Sequence, residues 1–179
     1  MAITATDIQV LYTTTAGSAG YSTAGTQAGS LGKYASTTQV ATGANGLFDD
    51  ISGAENAASV VDYRAVAVLN NHATLSLQNA VVYVASEVAG GASVAIAVDG
   101  IAASAKGSAS AQGAQIANET TAPTGVGAFS TPTTSGAGLA LGTLAPGQVR
   151  IVWVRRTAAN SAALDADGVT LAVSGDTAA

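Results

Sequence analysis

The sequence predicts an all-β protein, an antiparallel β-sandwich of jelly-roll or Ig-like type carrying an extended N-terminal arm. Three observations lead there. Short apolar runs alternate with period two, Gly, Pro and Asn clusters separate them, and no stretch sustains the 3.6-residue period of an amphipathic helix. The 179 residues suffice for one ordinary domain and an appendage.

The first forty-odd residues stand apart by composition. After the alternating run Ile8-Gln9-Val10-Leu11-Tyr12, residues 13–46 are rich in Gly, Ser, Thr and Ala, with Tyr21, Leu31, Tyr34 and Val40 as the few large apolar groups. Such a segment cannot bury enough area to fold alone. Its spaced tyrosines and the Ser30-Leu31-Gly32-Lys33-Tyr34 knot favour an arm that orders on a neighbour over a flexible tail. The expected division is therefore an arm over 1–46 and a sandwich over 47–179. Leu47-Phe48-Asp49-Asp50-Ile51 reads as one helical turn that pins the arm to the body through Phe48.

Strands follow. Val60–Leu69 places Tyr63, Ala65, Ala67 and Leu69 on one face and Arg64, Val66 and Val68 on the other. Asn70-Asn71-His72 reads as a turn, and Leu75–Ala85 and Ser93–Val98 as strands parted by Gly90-Gly91. Ala80–Val98 has nearly transmembrane length with one charge, Glu87. The central Gly pair and the missing flanking Lys/Arg read instead as two strands and a turn, with no membrane partner. Gln115-Ile116-Ala117 reads as a short strand; 100–113 and 122–138 read as loops. Ala145-Pro146-Gly147-Gln148 has the form of a type II turn. It launches Val149–Arg156, and Asp165-Ala166-Asp167-Gly168 turns the chain into Val169–Val173. Seven or eight strands fit the length from Leu47 onward.

Composition restricts function. Hydrophobic residues are 48% of the chain and aromatics only 4%, with alanine the largest apolar share, so Val, Ile and Leu must build the core. Charged residues are 9%, far below the usual quarter, which favours a surface covered by partners in a homo-oligomer or larger assembly. A net charge of −5 with six Lys/Arg leaves no phosphate-neutralising face, so nucleic acid is not an expected partner. Cysteine is absent, which removes disulfides, thiolate metal sites and cysteine nucleophiles. The opening MAITATDI lacks the basic and apolar regions of a secretory signal.

Catalytic parts are missing. His72, the single histidine, lies in a turn with no Ser or Thr marked as its partner and no Gly-x-Ser-x-Gly elbow. Asp165-x-Asp167-Gly168 begins like a calcium loop, but Thr170 and Asp176 stand where Gly and Glu are needed. Asp49, Asp50 and Glu55 could bind a cation at a subunit contact, and a solvated helix cap explains them equally well. One Trp and five Tyr give a sugar little platform. No enzyme and no cofactor or metal is expected. Arg150, Arg155 and Arg156 gather on one strand; Arg155 and Arg156 point to opposite faces, so at least one should meet an acidic partner. Trp153 reads as the main core anchor rather than an interface residue.

Several stretches resemble a group of tailed-bacteriophage virion proteins: Thr14-Thr15-Ala16-Gly17-Ser18-Ala19-Gly20, Ser30–Thr38, Asn45-Gly46-Leu47-Phe48-Asp49-Asp50, Asp62-Tyr63-Arg64, Val68-Leu69-Asn70-Asn71, Leu144-x-Pro146-Gly147-Gln148 and Val152–Thr157. Within that group the plan is most like a capsid decoration (cement) protein. That resemblance implies a protein made in the host bacterial cytoplasm and carried on the capsid surface of the virion. It implies the major capsid protein as partner, a trimer as one possible oligomer, and an arm over Met1–Gly46 that crosses onto neighbouring capsid subunits. Candidate interface residues are Tyr12, Tyr21, Leu31, Lys33, Tyr34, Phe48, Arg155 and Arg156. A tail or baseplate β domain is the alternative, and a carbohydrate-binding module a weaker one.

Overall fold

The computed structural model describes residues 2–17, 21–162, 164 and 167–177. Its elements are β1 (Ile8–Thr14), β2 (Tyr34–Gln39), α1 (Gly53–Ala58), β3 (Val61–Asn70), β4 (Leu77–Glu87), β5 (Ser93–Val98), β6 (Ser104–Ala105), β7 (Leu139–Leu144), β8 (Gln148–Thr157) and β9 (Val169–Thr177). Two antiparallel sheets pack as a β-sandwich. The larger runs β2-β1-β3-β8-β5, with β6 also pairing β8; the smaller runs β7-β4-β9.

The β3–β8 pair organises both cores. Its register runs from Val61 opposite Thr157 to Leu69 opposite Val149. Side chains alternate across a strand, so this register sorts them onto two apolar faces. Val66, Val68, Val152 and Val154 join Val94 and Ile96 and meet Leu77, Val82, Val84, Leu141 and Leu144 of the smaller sheet. Ala65, Ala67, Leu69, Ile151 and Trp153 face the other way, into a second core with Leu11, Ala97 and Ile116. Both faces of the larger sheet are therefore buried, and β3 reads as a nearly continuous apolar run for that reason.

Among the described residues no sheet covers the second core; Gly- and Ala-rich loops do. Leu31, Ala114, Val126 and Phe129 pack there. The backbone amide of Lys33 donates to Ala114 and that of Ile116 to Leu31, which ties the two covering segments together. Gly32 shows why small residues are needed. Its φ is +91°, and a Cβ would lie 2.0 Å from the Ala114 carbonyl oxygen and 2.9 Å from the Trp153 ring.

The arm over 1–46 is corrected by this arrangement. β1 pairs β3 from Ile8 opposite Asn70 to Tyr12 opposite Val66, and it pairs β2 on its other side. Leu11 is completely buried. The segment's own side chains bury little area, but backbone pairing with β3 recruits it into a sheet whose core is supplied elsewhere. The boundary at residue 46 is thus not a structural one.

The helical turn expected over 47–51 is also corrected. The helix begins later, at Gly53, where Ser52 and Glu55 form a reciprocal capping box. Gln115-Ile116-Ala117 contributes a single bridge, Gln115 to Gly32, rather than a strand. The turn before β8 has the expected form: Gln148 N donates to Ala145 O at 3.0 Å, and Gly147 has φ +72°. The strands on either side of Gly90-Gly91 belong to different sheets, so this link crosses the sandwich rather than closing a hairpin.

Candidate functional site

The charged side chains are committed mainly to holding the fold. Asp99 is buried at the end of β5. Its Oδ2 accepts from Trp153 Nε1 at 2.8 Å and from Ala114 N at 2.7 Å, and its Oδ1 accepts from Ile101 N at 2.9 Å. Its carbonyl accepts from Arg150 at 2.8 Å. One carboxylate thus fixes the loop after β5, the covering loop and the core indole together.

Arg156 forms the second hub. Its guanidinium contacts Asp62 Oδ2 at 2.7 Å and Asp49 Oδ1 at 3.5 Å, donates to the Asp49 carbonyl, and lies 4.7 Å from the Phe48 ring centroid. This arginine holds segment 47–50 against β8, and the acidic partner expected for the Arg155–Arg156 pair is internal. Arg64 pairs with Glu119 of a covering loop. Glu87 accepts from Val94 N at 2.6 Å, Asp167 from Ala92 N at 2.7 Å, and Asp176 from the Asn79 amide at 2.9 Å.

The eight residues nominated from sequence do not form one patch. Tyr12 and Arg156 are corrected to internal roles, since both are buried and satisfied within the chain. The Tyr12 hydroxyl donates to Gly46 O and accepts from Ala41 N. Leu31 packs on the second core, and Phe48 packs against the inter-sheet core. Tyr21 is half-buried beneath Lys106 at 5.0 Å, and burial pushes its phenol pKa up. Lys33 lies 5.3 Å from the Tyr34 ring centroid, and Arg155 lies 5.2 Å from that of Phe129. Trp153 is completely buried, as expected for a core anchor.

The remaining candidates are structural where they can be seen. His72 Nδ1 accepts from Thr74 N at 3.1 Å and Leu75 N at 3.0 Å, so the imidazole clamps its own turn. Asp165 lies outside the described residues, while Asp167 clamps the Gly90-Gly91 crossover. Glu55 is the capping-box acid, and its hydrogen bonds to Ser52 hold its pKa below the ordinary value. Among the described residues, no group of three His, Cys, Asp or Glu side chains is placed to hold a metal. Among them, too, no helix is long and apolar enough to cross a membrane.

The outer surface is the remaining functional feature. None of the six Lys/Arg is exposed; each is at least partly covered. Every aromatic side chain is likewise buried or half-buried. The smaller sheet turns Val81, Tyr83, Ala140, Ala172 and Ser174 outward, opposite the faces that Val82, Leu141 and Val173 turn to the core. What surrounds the chain therefore meets mostly small, uncharged side chains, and the exposed charge is acidic: Asp49, Asp50, Glu87, Asp167 and Asp176. The signal for this in the sequence was the 9% charged content; the folding-in of the cations was not visible there. Comparison with protein-family models, with curated proteins and with solved structures finds no match.

Proposed function

We propose that this chain is a structural protein of a tailed-phage virion, a decoration protein that binds the outer surface of the major capsid shell and bridges neighbouring subunits. The observation that carries the reading is the surface: no exposed Lys/Arg and no exposed aromatic, on a chain whose buried polar groups serve as clamps. A surface of small residues whose only exposed charges are acidic lets another protein's backbone approach closely between those carboxylates. It also supplies no field for a phosphate backbone and no stacking platform for a sugar or base.

The mechanism is burial. Because β1 and β2 belong to the body, bridging falls to the sandwich itself, through its sheet edges and neutral faces, rather than to a reaching arm. Each bound copy adds contact area across a seam between capsid subunits and so opposes their separation.

The test is co-sedimentation of the purified chain with expanded capsids of the phage that encodes it. Binding that raises the capsid melting temperature supports the reading. Failure to bind shells, with rings or tubes of the purified chain in negative stain, would move it to the tail.

A further inference from the structure

We propose that the free edge of β9 is a self-association site, at which a second copy of this chain adds its own β9 antiparallel across a two-fold axis. This extends the three-stranded sheet to six strands, and it stands independently of the capsid reading.

The sheet edges differ in how they are protected. In the larger sheet, Thr23 O accepts from Thr37 N and shields the outer edge of β2. Beyond β5, Ser130 exchanges both backbone hydrogen bonds with Ile96, and Gly127 N donates to Val98 O. In the smaller sheet, β7 spans six residues and has Gly142 at φ +82°. Short, bent edges resist pairing.

β9 carries none of these protections. It runs nine residues without Pro, Lys or Arg. Its pairing with β4 contains two irregularities, and both place the extra residue on β4. Between Gln78–Asp176 and Val81–Ser174, β4 advances three residues while β9 advances two; between Val84–Leu171 and Ser86–Thr170 it advances two against one. β9 is therefore the regular strand of the pair. Among the described residues, no backbone group of 169–176 hydrogen-bonds outside the sheet; just before it Val88 N donates to Gly168 O, and just after it Ile3 N donates to the Thr177 hydroxyl.

The partner that fits is the strand itself. An antiparallel pair is self-complementary under a two-fold, because the same free donors and acceptors recur in reverse order. Register supports this choice. An axis through Ala172 pairs Leu171 with Val173 and Thr170 with Ser174, and sets Asp176 of each copy opposite Gly168 of the other, so no carboxylate stands directly opposite another. Val169, Leu171 and Val173 already line the inter-sheet core, so the register that keeps them inward continues that core across the axis.

The test compares the full chain with two doubly substituted forms, Thr170→Lys with Ser174→Lys, and Thr170→Glu with Ser174→Glu. Both positions lie on the outer face of β9. Sedimentation velocity across a hundredfold concentration range should give a dimer for the parent chain. Each variant should be a folded monomer with a dissociation constant raised about tenfold or more by like charges meeting across the axis. Mixing the two variants should restore the dimer. A monomeric parent chain, or an oligomer that the Lys form does not weaken, would overturn the proposal. Should either variant fold poorly, hydrogen exchange on the parent chain decides: β9 amides must become protected with rising concentration, and protection that stays constant also overturns it.

Discussion

Trp153 Nε1 donates to Asp99 Oδ2 at 2.8 Å, a hydrogen bond between the centre of β8 and the end of β5 with both residues buried. It joins the largest side chain of the second core to the carboxylate that fixes the covering loops. Removing the acceptor orphans three N–H groups at once, those of Trp153, Ala114 and Ile101. Asp99→Ala should therefore cost about 3 kcal/mol, since each buried unsatisfied donor costs on the order of 1–3 kcal/mol. The shift is read from the denaturant midpoint, followed by the fluorescence of the single tryptophan. Trp153→Phe leaves the two backbone donors in place and should cost less from hydrogen bonding than Asp99→Ala.

Arg156 and Asp62 should behave as one unit. Both side chains are at least nine-tenths buried, so removing either strands a charge in a poorly solvated site. Asp62→Ala and Arg156→Met should each destabilise by about 3 kcal/mol, while the double substitution should cost much less than the sum. Simple additivity in a urea-unfolding double-mutant cycle would mean that the pair is not coupled.

Acid should loosen the chain locally before it unfolds. Hydrogen bonds from Ser52 hold Glu55 below its ordinary pKa of 4.5, and hydrogen bonds from Thr4 hold Asp7 below 3.8. A lowered folded-state pKa gives stability that is present above the ordinary value and lost as pH falls through the lowered one. The amides of α1 and of the Thr4–Asp7 turn should therefore lose protection below about pH 4.5 and 3.8 respectively. Glu55→Gln should flatten the α1 response in NMR-detected exchange without altering the other.

Residues 1–46 should not be removable. Deleting them removes β1 and β2 together, strips the edge of β3 and empties the site of Leu11. The shortened chain should fail to give a cooperative melt. Leu11→Ala alone should cost about 2–5 kcal/mol. A deletion that melts like the parent would return this segment to the status of an arm.

What could be read from the sequence follows from what each strand packs against. β3, β4, β5 and β8 were legible because Val, Ile, Leu and Ala alternate or run continuously there. β2 was not: Tyr-Ala-Ser-Thr-Thr-Gln carries no apolar stripe, and it is a strand because β1 lies beside it. β7 was hidden by Gly142, which interrupts Leu-Ala-Leu-Gly-Thr-Leu. The Gly- and Ala-rich stretches carry no local apolar pattern, yet they are the lid of a second core whose close approach needs small residues. Trp153 was legible as an anchor; its partner Asp99, 54 residues away, was not, because Asp99-Gly100 reads locally as a turn.

The most direct test of the central claim, the proposed place in a phage virion, is a search for this chain in density maps of whole tailed-phage particles produced by cells that express it. The account predicts a two-sheet body on the outer face of the shell, set over seams between capsid subunits, with β1 and β2 inside that body. Density for the chain confined to the tail, or absent from the particle, would contradict it.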